Sequence, residues 1–425
     1  MKNILKTIVA FFLGLFARAV LHKYRPTIVM ITGSVGKTST KDAVGEALTS
    51  RFLVRKSDKS FNSEFGVPFT ILNVGNPWGN PFAWVEMIKN GLALLFLPNH
   101  YPTMLVLETG ADKPGDLARI LHIATPDAVV VTRLPDIPVH VEAYTSPEAV
   151  HEEEFSPAYA LRGAAPLIIP ADKSHFREMA ERTPARILTY GIDSGGFVDA
   201  TGINFSINRA GIVDGMRAQV AVAGQTGEIV VRGSVGRIQI LPVAAAIATA
   251  QAFDIPLTDA LKTLEGYVPP PGRGRLLGGT HESILIDDTY NSSPVAVEEA
   301  LETLKDFPGA KRRIAVLGDM LELGRYSVQE HARIATLARK SADVVVAVGI
   351  RSRAFGQSKG KGELIFFDDS RIAAHKLPPL IQEGDVVLVK GSQSVRMERV
   401  VEALLADPND SVRLVRQERQ WKRRP

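Results

Sequence analysis

The stretch Thr27-Ile-Val-Met-Ile-Thr-Gly-Ser-Val-Gly-Lys-Thr-Ser39 limits the possible folds of this chain more than any other. Apolar and β-branched residues run straight into Gly-x-x-Gly-Lys-Thr, and a helical pattern follows over 41–48. A buried parallel strand, a glycine turn and a helix N-terminus together make a phosphate cradle. Backbone N–H groups and the positive end of the helix dipole face the anion. Gly33 and Gly36 let the backbone approach, Ser34, Val35 and Ser39 complete the loop, Lys37 reaches the terminal phosphates and the Thr38 hydroxyl suits Mg²⁺. Position 31, where a full Walker motif has its first glycine, is Ile. The competing reading is an ordinary glycine turn. Gly-Lys-Thr directly after a strand favours a nucleoside triphosphate site, with ATP and Mg²⁺ as expected cofactors.

At 425 residues the chain exceeds one ordinary core and should divide into two or three domains. Its 45% apolar and 23% charged composition is that of a globular protein. Net charge is only +4, with the basic excess at the two ends, so no nucleic-acid partner is expected. The absence of cysteine excludes disulfides, thiolate metal sites and a cysteine nucleophile. Residues 1–26 read as an apolar basic helix: Lys2 and Lys6, an uncharged run from Thr7 to Ala17, then Arg18, His22, Lys23 and Arg25. Ala17-Arg18-Ala19 has the form of a signal-peptidase site. Secretion is rejected because an ATP strand begins at Thr27, and a cytoplasmic location is expected. A spanning helix needs about 20 apolar residues, and this run is shorter. Cations on both flanks suit a helix lying in a membrane interface, peripheral on the inner face of the cytoplasmic membrane. A helix docked on protein is the second reading.

Farther on, the segment 75–101 is peculiar, with Trp78 and Trp84, two of the three tryptophans, beside an apolar run and three prolines. It reads either as a buried helix or as a second interfacial contact through residues 78–97. Thr103 to Leu107 is a buried strand with Glu108 at its carboxyl end, where open α/β sheets bind ligands. Another strand, 127–132, leads to His140 and Glu142, and the acidic run Glu152-Glu-Glu154 begins or continues a helix. From 197 to 232 short alternating runs with glycine turns predict an antiparallel patch. Pro269-Pro-Pro-Gly272 marks a linker. Beyond it a second α/β alternation has strands at 283–286, 313–317, 344–348, 363–366 and 386–389. The fold expected is α/β, with a P-loop central domain at 27–268 holding a parallel sheet and a small antiparallel patch. A linker at 269–274 and a Rossmann-like C-terminal domain at 275–408 follow. Residues 409–425 read first as a solvated basic tail and second as a contact to anionic lipid.

These motifs resemble the Mur ligase family, most closely the type that adds D-Ala-D-Ala to a muramoyl peptide. The resemblance is carried, in order, by the 33–39 loop, Asn62-x-x-x-Gly66-Val-Pro68, Glu108-Thr-Gly-Ala-Asp-x-Pro-Gly115 and His140-x-Glu142. Gly274-Arg275, Asp287-Asp-Thr-Tyr-Asn291, Leu317-Gly-Asp-Met-Leu-Glu-Leu-Gly324 and Lys390-Gly-Ser392 complete it. The resemblance implies an ATP-dependent, ADP-forming amide ligase in peptidoglycan precursor synthesis. Such a ligase phosphorylates a carboxylate, and an amine then attacks the acyl phosphate. It implies catalytic roles for Lys37, His140, Glu154 and Arg275. Nucleotide contacts would come from the loop, Asn62, Arg275, Asp288, Tyr290 and Asn291, and metal ligation from Thr38, Glu108, His140 and Glu154. Partners would be small peptide and amino-acid substrates, with a monomer favoured.

The departures are informative. Where the family carries a carbamylated lysine, counting from His140 places Glu154, which supplies a carboxylate directly; the bland reading is an acidic solvated helix start. Asn62-Ser63, Ser293-Pro294, Gln393 and Ile238-Gln239 also differ from the family pattern. The family's uridine-binding first domain has no counterpart, and the apolar helix and the Trp-rich segment stand in its place. Competing readings are a folylpolyglutamate-type amide ligase and a non-catalytic nucleotide-binding scaffold.

Overall fold

The computed structural model describes the backbone of residues 2–57, 59–78, 80–171 and 174–422. The expectations placed on the side chains of Lys2, Lys6 and Arg419, and on Arg423 and Arg424, lie outside the described residues. The chain opens with α1 (Lys2–Tyr24), β1 (Thr27–Thr32), α2 (Lys37–Leu48), β2 (Val54–Lys56), α3 (Gly66–Leu72), α4 (Pro81–Phe96) and β3 (Met104–Glu108). There follow α5 (Asp116–Ile123), β4 (Ala128–Val131), α6 (Pro147–Tyr159), β5 (Pro166–Pro170), α7 (Ser174–Ala180) and β6 (Arg186–Ile192). A meander of β7 (Val198–Ile207), β8 (Val213–Val222) and β9 (Gln225–Arg232) precedes α8 (Ile240–Ala252) and α9 (Leu257–Leu264).

These nine strands form one sheet in the order β2-β3-β1-β4-β5-β6-β7-β8-β9. Pairing is parallel through β6–β7 and antiparallel from β7 to β9. The antiparallel patch is therefore an extension of the parallel sheet rather than a layer of its own. β1 lies inside the sheet and is buried from Ile28 onward, as its unbroken apolar run requires. Helix α2 packs against α8, whose run Ala244-Ala-Ala-Ile-Ala248 is fully buried. Small side chains there bring the α2 backbone close and fix the helix that carries Lys37 and Thr38.

The second sheet comprises β10 (Arg275–Gly278), β11 (Ile284–Asp288), β12 (Arg312–Gly318), β13 (Val344–Val348), β14 (Glu363–Phe367) and β15 (Asp385–Lys390). Its order is β10-β11-β15-β12-β13-β14, all parallel except the edge strand β10. Helix α10 (Pro294–Asp306) follows β11. Register sets Asp288 beside Lys390 at the carboxyl ends of adjacent strands, the place where open parallel sheets hold ligands.

At the ends of the chain one sequence-based expectation is corrected and one of two alternatives gains support. One side of α1 is docked on protein. Leu13, Ala17 and Val20 are buried, and the helix packs against α3, α4 and α5. The C-terminal segment is not a solvated tail. Leu414 and Arg416 are buried, and Arg416 pairs with Glu398 at 2.8 Å while donating to the carbonyls of Thr289 and Tyr290. Among the described residues no helix is long and apolar enough to cross a membrane.

Candidate active site

The turn between β1 and α2 has the backbone that its glycines allow. Gly33 sits at φ 111° and Gly36 at φ 93°, and a Cβ on Gly33 would collide with the hydroxyl and carbonyl of Thr132. Helix α2 begins at Lys37 with Gly36 as its cap and no side chain capping it. The N–H groups of its first turn are thus the donors available to an anion. Those of Ser34 and Val35 are not, since both donate to the Arg133 carbonyl at 3.1 Å. The Thr38 hydroxyl donates to Glu108 Oε1 at 3.2 Å, and Ser60 donates to the same oxygen. Glu108 Oε2 is buried without a hydrogen-bond partner. An orphaned carboxylate oxygen beside a hydroxyl, under a phosphate loop, is a donor set suited to a hard divalent cation. Asn62 holds this corner by accepting the Gly110 N–H at its carbonyl, 3.0 Å away.

The acidic run divides into three roles. Glu152 is exposed and pairs with Arg182. Glu153 accepts from the backbone N–H groups of Gly115 and Leu117 at the start of α5. Glu154 points inward at 2% exposure. Its Oε2 accepts from Thr32 Oγ1 at 3.0 Å and Gly33 N at 3.2 Å, and its Oε1 lies 3.5 Å from Lys37 Nζ. Lys37 also donates to the Gly33 carbonyl. The solvated-helix reading therefore fails for Glu154, which is part of the phosphate loop's own bonding. His140, at φ 64°, lies 3.1 Å from Glu322 and 3.6 Å from Asp112. It is held against the 317–324 segment of the second sheet. Glu108, His140 and Glu154 are not gathered into one ligand set. Among the described residues no three His, Asp or Glu side chains converge as a metal site would require.

Across the cleft, Asp288 accepts from Lys390 Nζ at 2.6 Å and from Gly274 N at 3.2 Å, and Lys390 also donates to the Asn291 carbonyl. Arg133, just beyond β4, is paired with Glu299 on α10, whose carboxyl is raised from its ordinary pKa by burial. A narrow seam of about 50 Å³ between the halves is lined by Gly36, Ser39, Gln239, Arg273, Asp288 and Lys390 among others. Nucleotide sites ordinarily take several hundred Å³, more than this seam alone offers. Arg275 is not in the seam. Its guanidinium donates to the carbonyls of Arg413 and Pro269, and burial lowers its pKa. The residue placed there is Arg273, whose guanidinium lies 4.1 Å from the centre of the Tyr290 ring. Neither Arg273 nor Gln239 is among the nucleotide contacts that the resemblance implies, although the sequence marks Gln239 as a departure from the family pattern. The doubled Gly272-Arg-Gly-Arg275 offered both arginines, and Lys390 follows directly on a buried strand.

Fold and site define a two-domain enzyme that uses a nucleoside triphosphate, with a phosphate loop on one half and polar strand ends on the other. The sequence matches the Mur ligase middle domain over residues 31–250 and the Mur ligase, glutamate ligase domain over 272–393. The chain belongs to the Mur ligase family and is an ATP-dependent, ADP-forming ligase. It is similar to the UDP-N-acetylmuramoyl-tripeptide–D-alanyl-D-alanine ligase of Bacillus subtilis, 25% identical over 401 residues that cover 92% of this chain and 79% of that one. The ligase of the same name from Synechocystis is 28% identical over 398 residues, covering 92% and 77%. MurF ligase from Thermotoga maritima, solved in complex with ADP, shares the fold with a TM-score of 0.75 at 25% identity, covering 93% of this chain and 83% of that one.

Proposed function

We propose that this ligase joins the free carboxylate of a muramoyl peptide to the amine of D-Ala-D-Ala or a closely similar dipeptide. The observation that carries the reading is the opposition, across one seam, of the phosphate-loop residues Gly36 and Ser39, which flank Lys37 and Thr38, and the Asp288–Lys390 strand ends. The substrate carboxylate oxygen attacks the γ-phosphorus of ATP, the bond to the β-phosphate oxygen breaks, and ADP leaves. The amine nitrogen then attacks the acyl carbon, loses its proton, and expels inorganic phosphate. Charge accumulates on the transferring group, so positioning and electrostatics carry the catalysis. Lys37 and the first-turn N–H groups of α2 hold the terminal phosphates. Arg273, stacked on Tyr290, flanks the nucleotide from the linker side. Thr38 and Glu108 would hold Mg²⁺, which when bound draws negative charge from the phosphates.

Glu154 takes the place of the family's carbamylated lysine as a permanent anion at the loop, and His140 orients the 317–324 segment. Domain limits of 27–268 and 275–408, hinged at 269–274, accompany this reading, with the enzyme peripheral to the inner face of the cytoplasmic membrane. The test is to supply ATP, Mg²⁺, muramoyl tripeptide and D-Ala-D-Ala. The expected result is a pentapeptide with one ADP formed per amide bond. ADP release that does not require both substrates would refute it.

A further inference from the structure

The outer surface of the α1–α4 pair is apolar where a surface helix is ordinarily polar. On α4, Met87, Gly91 and Leu94 turn inward, while Phe82, Val85, Lys89, Leu92 and Phe96 form the outward stripe, Phe82 being 83% and Phe96 78% exposed. On α1, Phe11, Phe12 and Leu15 are likewise exposed. The helices are direct neighbours. The Phe16 ring occupies the place a Cβ on Gly91 would take, and Lys23 Nζ donates to the carbonyls of Leu94, Leu95 and Leu97. Tyr24 donates to Leu94 as well. Arg18, His22, Arg25 and Lys89 are exposed on these two helices and their ends, with Glu86 the exposed acid of α4. An apolar strip edged by cations complements an anionic bilayer.

A second observation concerns a cleft of about 1050 Å³. Its lining includes Thr38 and Ser60, both bonded to Glu108, and Gly75 and Asn76 in the loop that leads into α4. Its far wall is the returning C-terminal segment. Arg273 and Lys59 line it, and its one acid, Glu418, is paired with Lys59. Asn76 and Pro81 are few enough residues apart that this part of the cleft wall lies within about 17 Å of the start of α4.

We infer that this cleft receives a carboxylate substrate anchored in the membrane by a lipid and joined to it through a phosphate-bearing linker. The α1–α4 face rests on the bilayer and sets the mouth toward its surface. The inference rests on the ligase reading above and names the form of its carboxylate substrate. The test uses the full chain with muramoyl tripeptide presented in two ways. One is on a polyprenyl diphosphate in vesicles of phosphatidylglycerol and phosphatidylcholine in equal parts; the other is on uridine diphosphate in solution. The expected kcat/KM is higher for the vesicle-borne form by on the order of tenfold or more, given several cations at an anionic surface. Phe82→Glu combined with Phe96→Glu, both highly exposed side chains, should abolish that preference and sedimentation with the vesicles, without changing the melting temperature. Equal or better use of the soluble form by the wild type would overturn the inference while leaving the ligase reading intact. So would a preference that survives both substitutions, or vesicle binding that requires an added protein. Turnover of neither form would overturn both.

Discussion

Replacing Glu154 by Gln removes one negative charge from a side chain that is 2% exposed and bonded to Thr32, Gly33 and Lys37. A hydrogen bond to a charged group contributes about 1.5–3 kcal/mol, and removing one partner of a buried ion pair costs about 3–5 kcal/mol. Lys37 keeps the Gly33 carbonyl as an acceptor, and 14% of its side chain reaches solvent. Gln can still accept from Gly33 N. The low end therefore applies, about 2 kcal/mol, which for a domain of this size lowers Tm by about 4–8 °C. Glu152→Gln is the control, because its pair with Arg182 is exposed on both sides and is worth about 0–1 kcal/mol. Thermal unfolding followed by circular dichroism gives both shifts, and phosphate release with substrates present gives the activities. Glu154→Gln should lose activity by orders of magnitude, Glu152→Gln should retain it, and the wild type should be indifferent to added bicarbonate. Equal tolerance of the two substitutions, or stimulation of the wild type by bicarbonate, would refute the assignment of Glu154 as the resident anion of the phosphate loop.

Arg273→Ala should raise the KM for ATP about tenfold, corresponding to roughly 1.4 kcal/mol of lost guanidinium contact, whereas Arg275→Ala should leave that KM unchanged and lower Tm. ATP titrations of the two variants decide it, and identical KM effects would contradict the placement of Arg273 in the seam. Asp287 is fully buried, and burial raises its carboxyl from an ordinary 3.8 to about 6. A folded pKa above the unfolded one gives stability that is complete below the ordinary value and is lost as pH rises through about 6. Urea unfolding should show this component, at most about 3 kcal/mol. Asp287→Asn, which keeps the acceptor for Thr289, should flatten it. An unchanged pH slope would contradict that account.

Local signals made the β1–loop–α2 unit legible, because an apolar run, two glycines and a lysine sit within a dozen residues. The buried strands of the second sheet were equally plain, being short β-branched runs such as Val344-Val-Val-Ala-Val348. Edge strand β10 was not, since four residues between glycines carry no period. The continuity of β6 with β7 escaped because strand order depends on pairing distant in sequence. Glu154 was placed by spacing, yet its partners Thr32 and Gly33 lie more than a hundred residues away. The same holds for Arg416, whose charge reads as solvated until Glu398 is brought beside it. What separates Arg273 from Arg275 is the partners each meets, Tyr290 for the first and the Arg413 and Pro269 carbonyls for the second, and no composition reports that.

The central claim is that the Lys37–Glu108 corner drives amide formation from ATP. It is tested most directly by measuring dipeptide-dependent phosphate release by wild type, Lys37→Ala and Glu108→Ala with muramoyl tripeptide present. The account predicts robust, Mg²⁺-dependent release by the wild type, none by Lys37→Ala, and a loss of orders of magnitude for Glu108→Ala with the fold retained. Near-wild-type release by either folded variant would contradict it.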